Sequence, residues 1–125
     1  MLETIRNVDY IVLLCDNPAA MRAFYAGVML FPVYRELNGW IEFRARATLL
    51  TLRRRDRPYD GPSPRGSACI QLAFRLTPAE VDGCHDELVA QGVTILDPPT
   101  DQSWGHRTLF FQDPESNILE VFADI

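Results

Sequence analysis

Hydrophobic and polar positions along the chain fall into two rounds of one rhythm. Asp9-Tyr10-Ile11-Val12-Leu13-Leu14 is an apolar, β-branched run of strand length. Asp16-Asn17-Pro18 follows, a capping side chain and then a proline suited to a first helical turn. Met21, Phe24, Tyr25 and Val28 recur at spacings of three and four, the apolar stripe of a helix ending near Gly27. Residues 32–37 and 40–44 flank Asn38-Gly39 and predict a hairpin closed by a type I′ turn. Residues 47–53 supply another strand. Residues 54–66 are rich in arginine, proline and glycine, carry no hydrophobic period, and form a loop or linker.

After that segment the order returns. Residues 69–76 form a strand, and Thr77-Pro78-Ala79-Glu80 has the pattern of a capping box with proline inside it. Val81, Cys84, His85 and Leu88 share the apolar face of the helix that follows, which stops at Gly92. Residues 93–96 make a short strand before a break at Pro98-Pro99. Residues 106–112 and 117–123 make a hairpin around Asp113-Pro114-Glu115-Ser116. The expected fold is α+β, with two βαβββ modules in a single domain, about 8–53 and 67–125, joined by linker 54–66. One helix covers only one face of a four-stranded sheet. The open faces must therefore pair or shape a cavity, within the chain or in a homodimer.

Strand parity sorts the polar residues. Tyr10, Val12 and Leu14 share one face, as do Gln71, Ala73 and Arg75, and Ile118, Glu120 and Phe122. The opposite parity, Ile11 with Leu13 and Ile70, Leu72, Phe74 and Leu76, is wholly apolar and suits packing against the helices.

Composition narrows the function. Twelve basic and seventeen acidic residues give a net charge of −5, against the cation surplus a general nucleic-acid binder needs. All the basic residues are arginine. No apolar run is long enough to span a bilayer, and the first residues lack a basic start, apolar stretch and cleavage site. The expectation is a cytoplasmic protein with no membrane or nucleic-acid partner. Cys15, Cys69 and Cys84 are too scattered for a disulfide framework and are expected as small residues of a reduced interior. Arg53-Arg54-Arg55-Asp56-Arg57 is expected to be the solvated end of a strand.

Four stretches, "VDYIVLLCDNPAAMRAFY", "IQLAF", Trp104-Gly105 and "FFQDPESNILEVF", together resemble the vicinal oxygen chelate superfamily from Val8 to Phe122. That group holds glyoxalase I, extradiol dioxygenases, fosfomycin-resistance enzymes and bleomycin-resistance proteins. Its metal-dependent members place two histidines and one or two glutamates on the inward faces of strands, around a divalent ion acting as Lewis acid. By resemblance, the first-strand histidine falls on Tyr10, the fourth-strand ligand near Thr51 and the fifth-strand histidine on Gln71. Only the last ligand is retained, as Glu120. Phenol and amide groups are weak ligands beside imidazole and carboxylate, so no metal or other cofactor is expected. Nickel, zinc, iron or manganese enters only under a different alignment.

The resemblance implies a small-molecule binding protein like the bleomycin-resistance branch, an antibiotic-resistance function, holding an aromatic or cationic ligand in a cavity. Tyr10, Gln71, Glu120, Trp104 and His106 are its candidate ligand contacts. The alternative is a lyase, isomerase or dioxygenase of the glyoxalase kind, with Glu120 as general base or metal ligand and Tyr10 or His106 assisting. Each candidate also has a plain structural reading. Glu120 at a sheet margin is solvated or pairs with an arginine, His106 lies on the surface, and His85 packs on its helix.

Overall fold

Two four-stranded mixed sheets, each with one helix, grow from the two rounds of the sequence. The computed structural model describes residues 1–125 and divides into two units, Met1–Ser63 and Pro64–Ile125.

The first unit holds β1 (Tyr10–Cys15), α1 (Pro18–Ala23), β2 (Val33–Leu37), β3 (Trp40–Ala45) and β4 (Thr48–Arg54). Its sheet order is β1-β4-β3-β2, with β1 parallel to β4 and the other neighbours antiparallel. Asn17 caps α1 by accepting from the Ala20 backbone N–H at 3.1 Å. Past Ala23 the chain winds on as a π-helical turn, Phe24–Val28, in place of the regular helix the spacing predicts. The wider turn narrows the angle between successive side chains, so adjacent Phe24 and Tyr25 are both buried. With Met21 they supply the helical side of a core whose sheet side is Leu13, Cys15, Ile41, Phe43, Leu50 and Leu52.

Two details of this unit differ from expectation. At Asn38-Gly39 only the glycine has a positive φ, 75°, which is the sign pattern of a type II turn and not of type I′. The turn leaves its one left-handed position to the residue without a Cβ. The arginine cluster is also no solvated strand end. Arg53 donates to both carboxylate oxygens of Asp60 at 2.8 and 2.9 Å, and Asp60 also accepts the backbone N–H groups of Asp56 and Arg57. The Arg55 Nη1 group donates to the Asp60 carbonyl at 2.8 Å, closing the loop onto β4.

The second unit holds β5 (Gln71–Arg75), α2 (Pro78–Ala90), β6 (Ile95–Asp101), β7 (His106–Gln112) and β8 (Ile118–Asp124). Its order, β5-β8-β7-β6, repeats the first, with β5 parallel to β8. The capping box forms as expected: Thr77 Oγ1 accepts from the Glu80 N–H, and the Glu80 carboxylate accepts from the Thr77 N–H. Val81 and Leu88 of α2 are buried, as are Leu109, Phe111, Leu119, Val121 and Ala123 of the sheet. Arg107 joins α2 to the sheet, donating to Asp82 and Asp101.

Strand β6 runs straight through Pro98-Pro99, where the sequence predicts a break. It is an edge strand with register shifts on both sides of Asp97, so the missing proline N–H groups interrupt no inner ladder. Of the three cysteines only Cys15 is buried; Cys69 is exposed, outside β5. No helix is long and apolar enough to cross a membrane.

Candidate functional site

Each sheet turns one face to its helix, and Tyr10, Thr51, Gln71, Glu120 and His106 sit on the opposite faces, while Trp104 lies on a turn. In the second unit the parallel pairing of β5 with β8 sets Gln71 opposite Ile118 and Ala73 opposite Glu120. Gln71 therefore lies diagonal to Glu120, and its Nε2 donates to Glu120 Oε2 at 3.2 Å. Glu120 is half-buried and pairs across the ladder with Phe110, while Gln71 is exposed. One carboxylate oxygen, Oε2, thus carries the amide bond.

Further along the same face, the Arg75 guanidinium stacks 4.7 Å from the centre of the Phe122 ring. His106 packs on Phe122 with ring centres 4.7 Å apart, and its Nε2 lies 3.3 Å from Asp124 Oδ1. Arg75 pairs with Asp124 as well. His106 is thus half-buried in a ring-and-ion cluster of β5, β7 and β8. Trp104 stands on the turn between Gln102 and Gly105, 62% exposed, outside both groups of contacts. His85 is half-buried on α2 beside Asp86, 3.3 Å away. Burial pushes the Cys84 thiol up, aided by Glu87 and Glu80, the opposite of what a nucleophilic cysteine needs.

The first unit carries Tyr10 and Thr51 on its open face, and a residue that sequence reasoning missed. Glu42 on β3 is 1% exposed. Its Oε1 accepts from Trp40 Nε1 at 2.9 Å and from Arg35 Nη2 at 3.3 Å. Thr51 sits opposite Glu42 in the ladder and is fully buried, and its hydroxyl has no hydrogen-bond partner. Trp40-Ile41-Glu42-Phe43-Arg44 alternates like a strand whose polar face meets water. The parity was the available signal, but it does not distinguish a buried polar face from a wet one. Tyr10 meets Trp40 edge-on with ring centres 6.3 Å apart. On the helix side of this sheet, an open groove of about 590 Å³ includes Pro18, Arg22, Glu36, Ile41, Leu52 and Arg54. Arg22 and Glu36 pair with each other there at 2.9 and 3.1 Å.

The donor set does not fit a divalent ion. No three histidine, cysteine, aspartate or glutamate side chains form a group able to hold a metal. Tyr10, Thr51 and Gln71 offer a phenol, a hydroxyl and an amide, and one carboxylate does not replace the missing imidazoles.

Comparison with known proteins agrees with the architecture. A glyoxalase/bleomycin resistance protein/dioxygenase from Nocardioides superposes with a TM-score of 0.85 at 21% identity, over 98% of this chain and 85% of that one. A protein from Agrobacterium tumefaciens, solved in solution, gives 0.81 at 28% identity, over 97% and 99% of the two chains. A glyoxalase-related enzyme from Fulvimarina pelagi gives 0.81 at 21%, over 96% and 89%. Among curated proteins none matches the sequence. The family model that matches residues 7–121 covers nearly every element described above, and the chain belongs to the Glyoxalase/Bleomycin resistance protein/Dioxygenase superfamily.

Proposed function

We propose that this protein is a small-molecule binding protein that sequesters an aromatic or cationic ligand without a metal and without transforming it. One observation carries the reading. Of the positions that hold metal in metal-dependent relatives, only Glu120 keeps a carboxylate, and that carboxylate is engaged by the Gln71 amide at 3.2 Å. Replacing imidazole by amide exchanges metal affinity for hydrogen-bonding capacity. The surrounding open face supports binding. It presents the Glu120 carboxylate to a cation, and the Phe122 and His106 rings to an aromatic surface. The proposed working form is a cytoplasmic homodimer.

Two measurements test the reading. Protein purified without chelators is expected to carry no stoichiometric nickel, zinc, iron or manganese. One bound equivalent, lost in Glu120→Gln, overturns the proposal in favour of a metal-dependent lyase, isomerase or dioxygenase. A panel of cationic and aromatic compounds is then screened by thermal shift. A ligand at a hundred times its Kd stabilises the native state by about 2.7 kcal/mol, a rise in Tm of roughly 10 °C for a domain of this size. Gln71→Leu is expected to weaken such a ligand about tenfold, the worth of one hydrogen bond to a charged network. A panel with no stabilising compound rejects sequestration.

A further inference from the structure

The open face of the first unit has an unfinished set of hydrogen bonds. Both bonds to the buried Glu42 carboxylate fall on Oε1, from Trp40 and Arg35, and Oε2 receives none. Directly across the β3–β4 ladder is Thr51, fully buried, with its hydroxyl unpartnered. Residues paired in this way project from the same face with their Cβ atoms about 5 Å apart. A lone polar atom held from water is a cost that folding normally avoids, and Thr51 Oγ1 is such an atom, beside a carboxylate whose two bonds crowd onto one oxygen.

An aromatic pair stands beside them. Tyr10 pairs with Leu49, and Leu49 with Arg44; Trp40 pairs with Arg53, and Arg53 with Leu14. The Val12–Thr51–Glu42 row lies between those two rows, so Tyr10 and Trp40 stand at opposite corners of it. Two strand spacings across and four residues along put their Cα atoms about 16 Å apart on a flat sheet. Their ring centres nevertheless approach to 6.3 Å. The rings lean toward each other. Tyr10 remains 44% exposed, so this pair has a solvent side.

We propose that Glu42 and Thr51, beside the Tyr10–Trp40 ring pair, form the polar end of a subsite for a protonated amine on an aromatic or apolar stem. The ammonium donates to Glu42 Oε2 and to Thr51 Oγ1, completing both, while the stem lies against the rings that part to admit it. An ammonium fits where a neutral alcohol does not, because it brings several donors and a positive charge to a desolvated carboxylate. The Arg35 cation is 3.3 Å from Oε1 and its side chain is 57% exposed, so it compensates Glu42 only in part. Ring faces add cation–π attraction.

This inference rests on the binding reading above and sharpens its ligand class. Benzylamine, phenethylamine and benzyl alcohol are titrated into wild type, Glu42→Gln and Thr51→Val, followed by calorimetry and tryptophan fluorescence. Wild type is expected to bind the two amines at least about tenfold more tightly than the alcohol, with a change in Trp40 emission. Glu42→Gln keeps the Trp40 bond and is expected to lose that preference. Thr51→Val, nearly isosteric, is expected to raise the Tm of the free protein while weakening the amines. A more stable Thr51→Val protein that binds amines like wild type marks the hydroxyl as a packing defect and overturns the proposal. Absence of amine binding to wild type overturns it too. If another compound of the wider panel stabilises wild type and both variants equally, this subsite fails while the sequestration reading stands.

Discussion

The two units repeat one element order, yet they treat the carboxylates on the faces away from their helices differently. The first sheet carries Glu42 and Thr51 on inner strands, both buried, on the face that bears the Tyr10–Trp40 ring contact. The second sheet carries its carboxylate–amide pair on β8 and the edge strand β5, with Gln71 exposed and Glu120 half-buried. The cores differ as well. The first is aromatic, with Tyr25 touching Phe24, Phe31 and Phe43 at ring-centre distances of 5.1, 6.2 and 6.2 Å. The second is mostly aliphatic around Phe111. A βαβββ frame prescribes which side of each strand meets the helix, and it leaves the chemistry of the open side to individual residues. That is how one architecture serves binding and catalysis within a superfamily.

The cores give the largest test of this contrast. Phe43→Ala is expected to cost about 3–5 kcal/mol in urea unfolding, and Leu119→Ala in the second core about 2–5. A clearly greater loss for Leu119→Ala would show the aliphatic core to be the more sensitive of the two to truncation.

Acid separates the units next. Arg53, with the backbone N–H groups of Arg57 and Asp56, holds the Asp60 carboxyl far below the usual carboxylate range. A carboxyl depressed in the folded state contributes stability that is complete above its unfolded pKa, about 4, and is lost as pH falls through its folded value. Wild type is therefore expected to exceed Asp60→Asn in stability at pH 7, with the gap closing under strong acid. A gap constant from pH 7 down to the acid limit of folding would show that this loop is not held by Asp60's charge.

The helix starts give the smallest effects. Asn17 accepts at 3.1 Å and Thr77 at 3.4 Å, so the first cap is the firmer bond. Asn17→Ala is expected to cost about 1 kcal/mol and Thr77→Ala about 0.5. Thermal unfolding that reverses this order would place the capping box of α2 above the single cap of α1.

Much of the frame was legible because it depends on neighbours in sequence. The strands, both helix starts and their caps follow from period, proline position and short polar side chains. Where reading failed, a distant partner intervened. Pro98-Pro99 stays in a strand because β6 lies on an edge, and edge position is a property of the sheet. Arg53 left solvent because Asp60, seven residues on, folds back upon it. Among site residues, parity correctly set Gln71 and Glu120 on one face, and β5–β8 pairing then brought them into hydrogen-bond range. Glu42 escaped notice because a charged residue alternating along a hairpin strand looks the same whether its face is wet or covered.

By itself, then, the sequence determined the double βαβββ order and the helix-facing side of each strand. These rest on residue type and local periodicity, which the chain carries wherever it is. Only the tertiary structure decided which polar residues are withdrawn from water and which meet each other. Desolvation and hydrogen bonding across strands depend on distances that pairing creates between residues far apart in the chain.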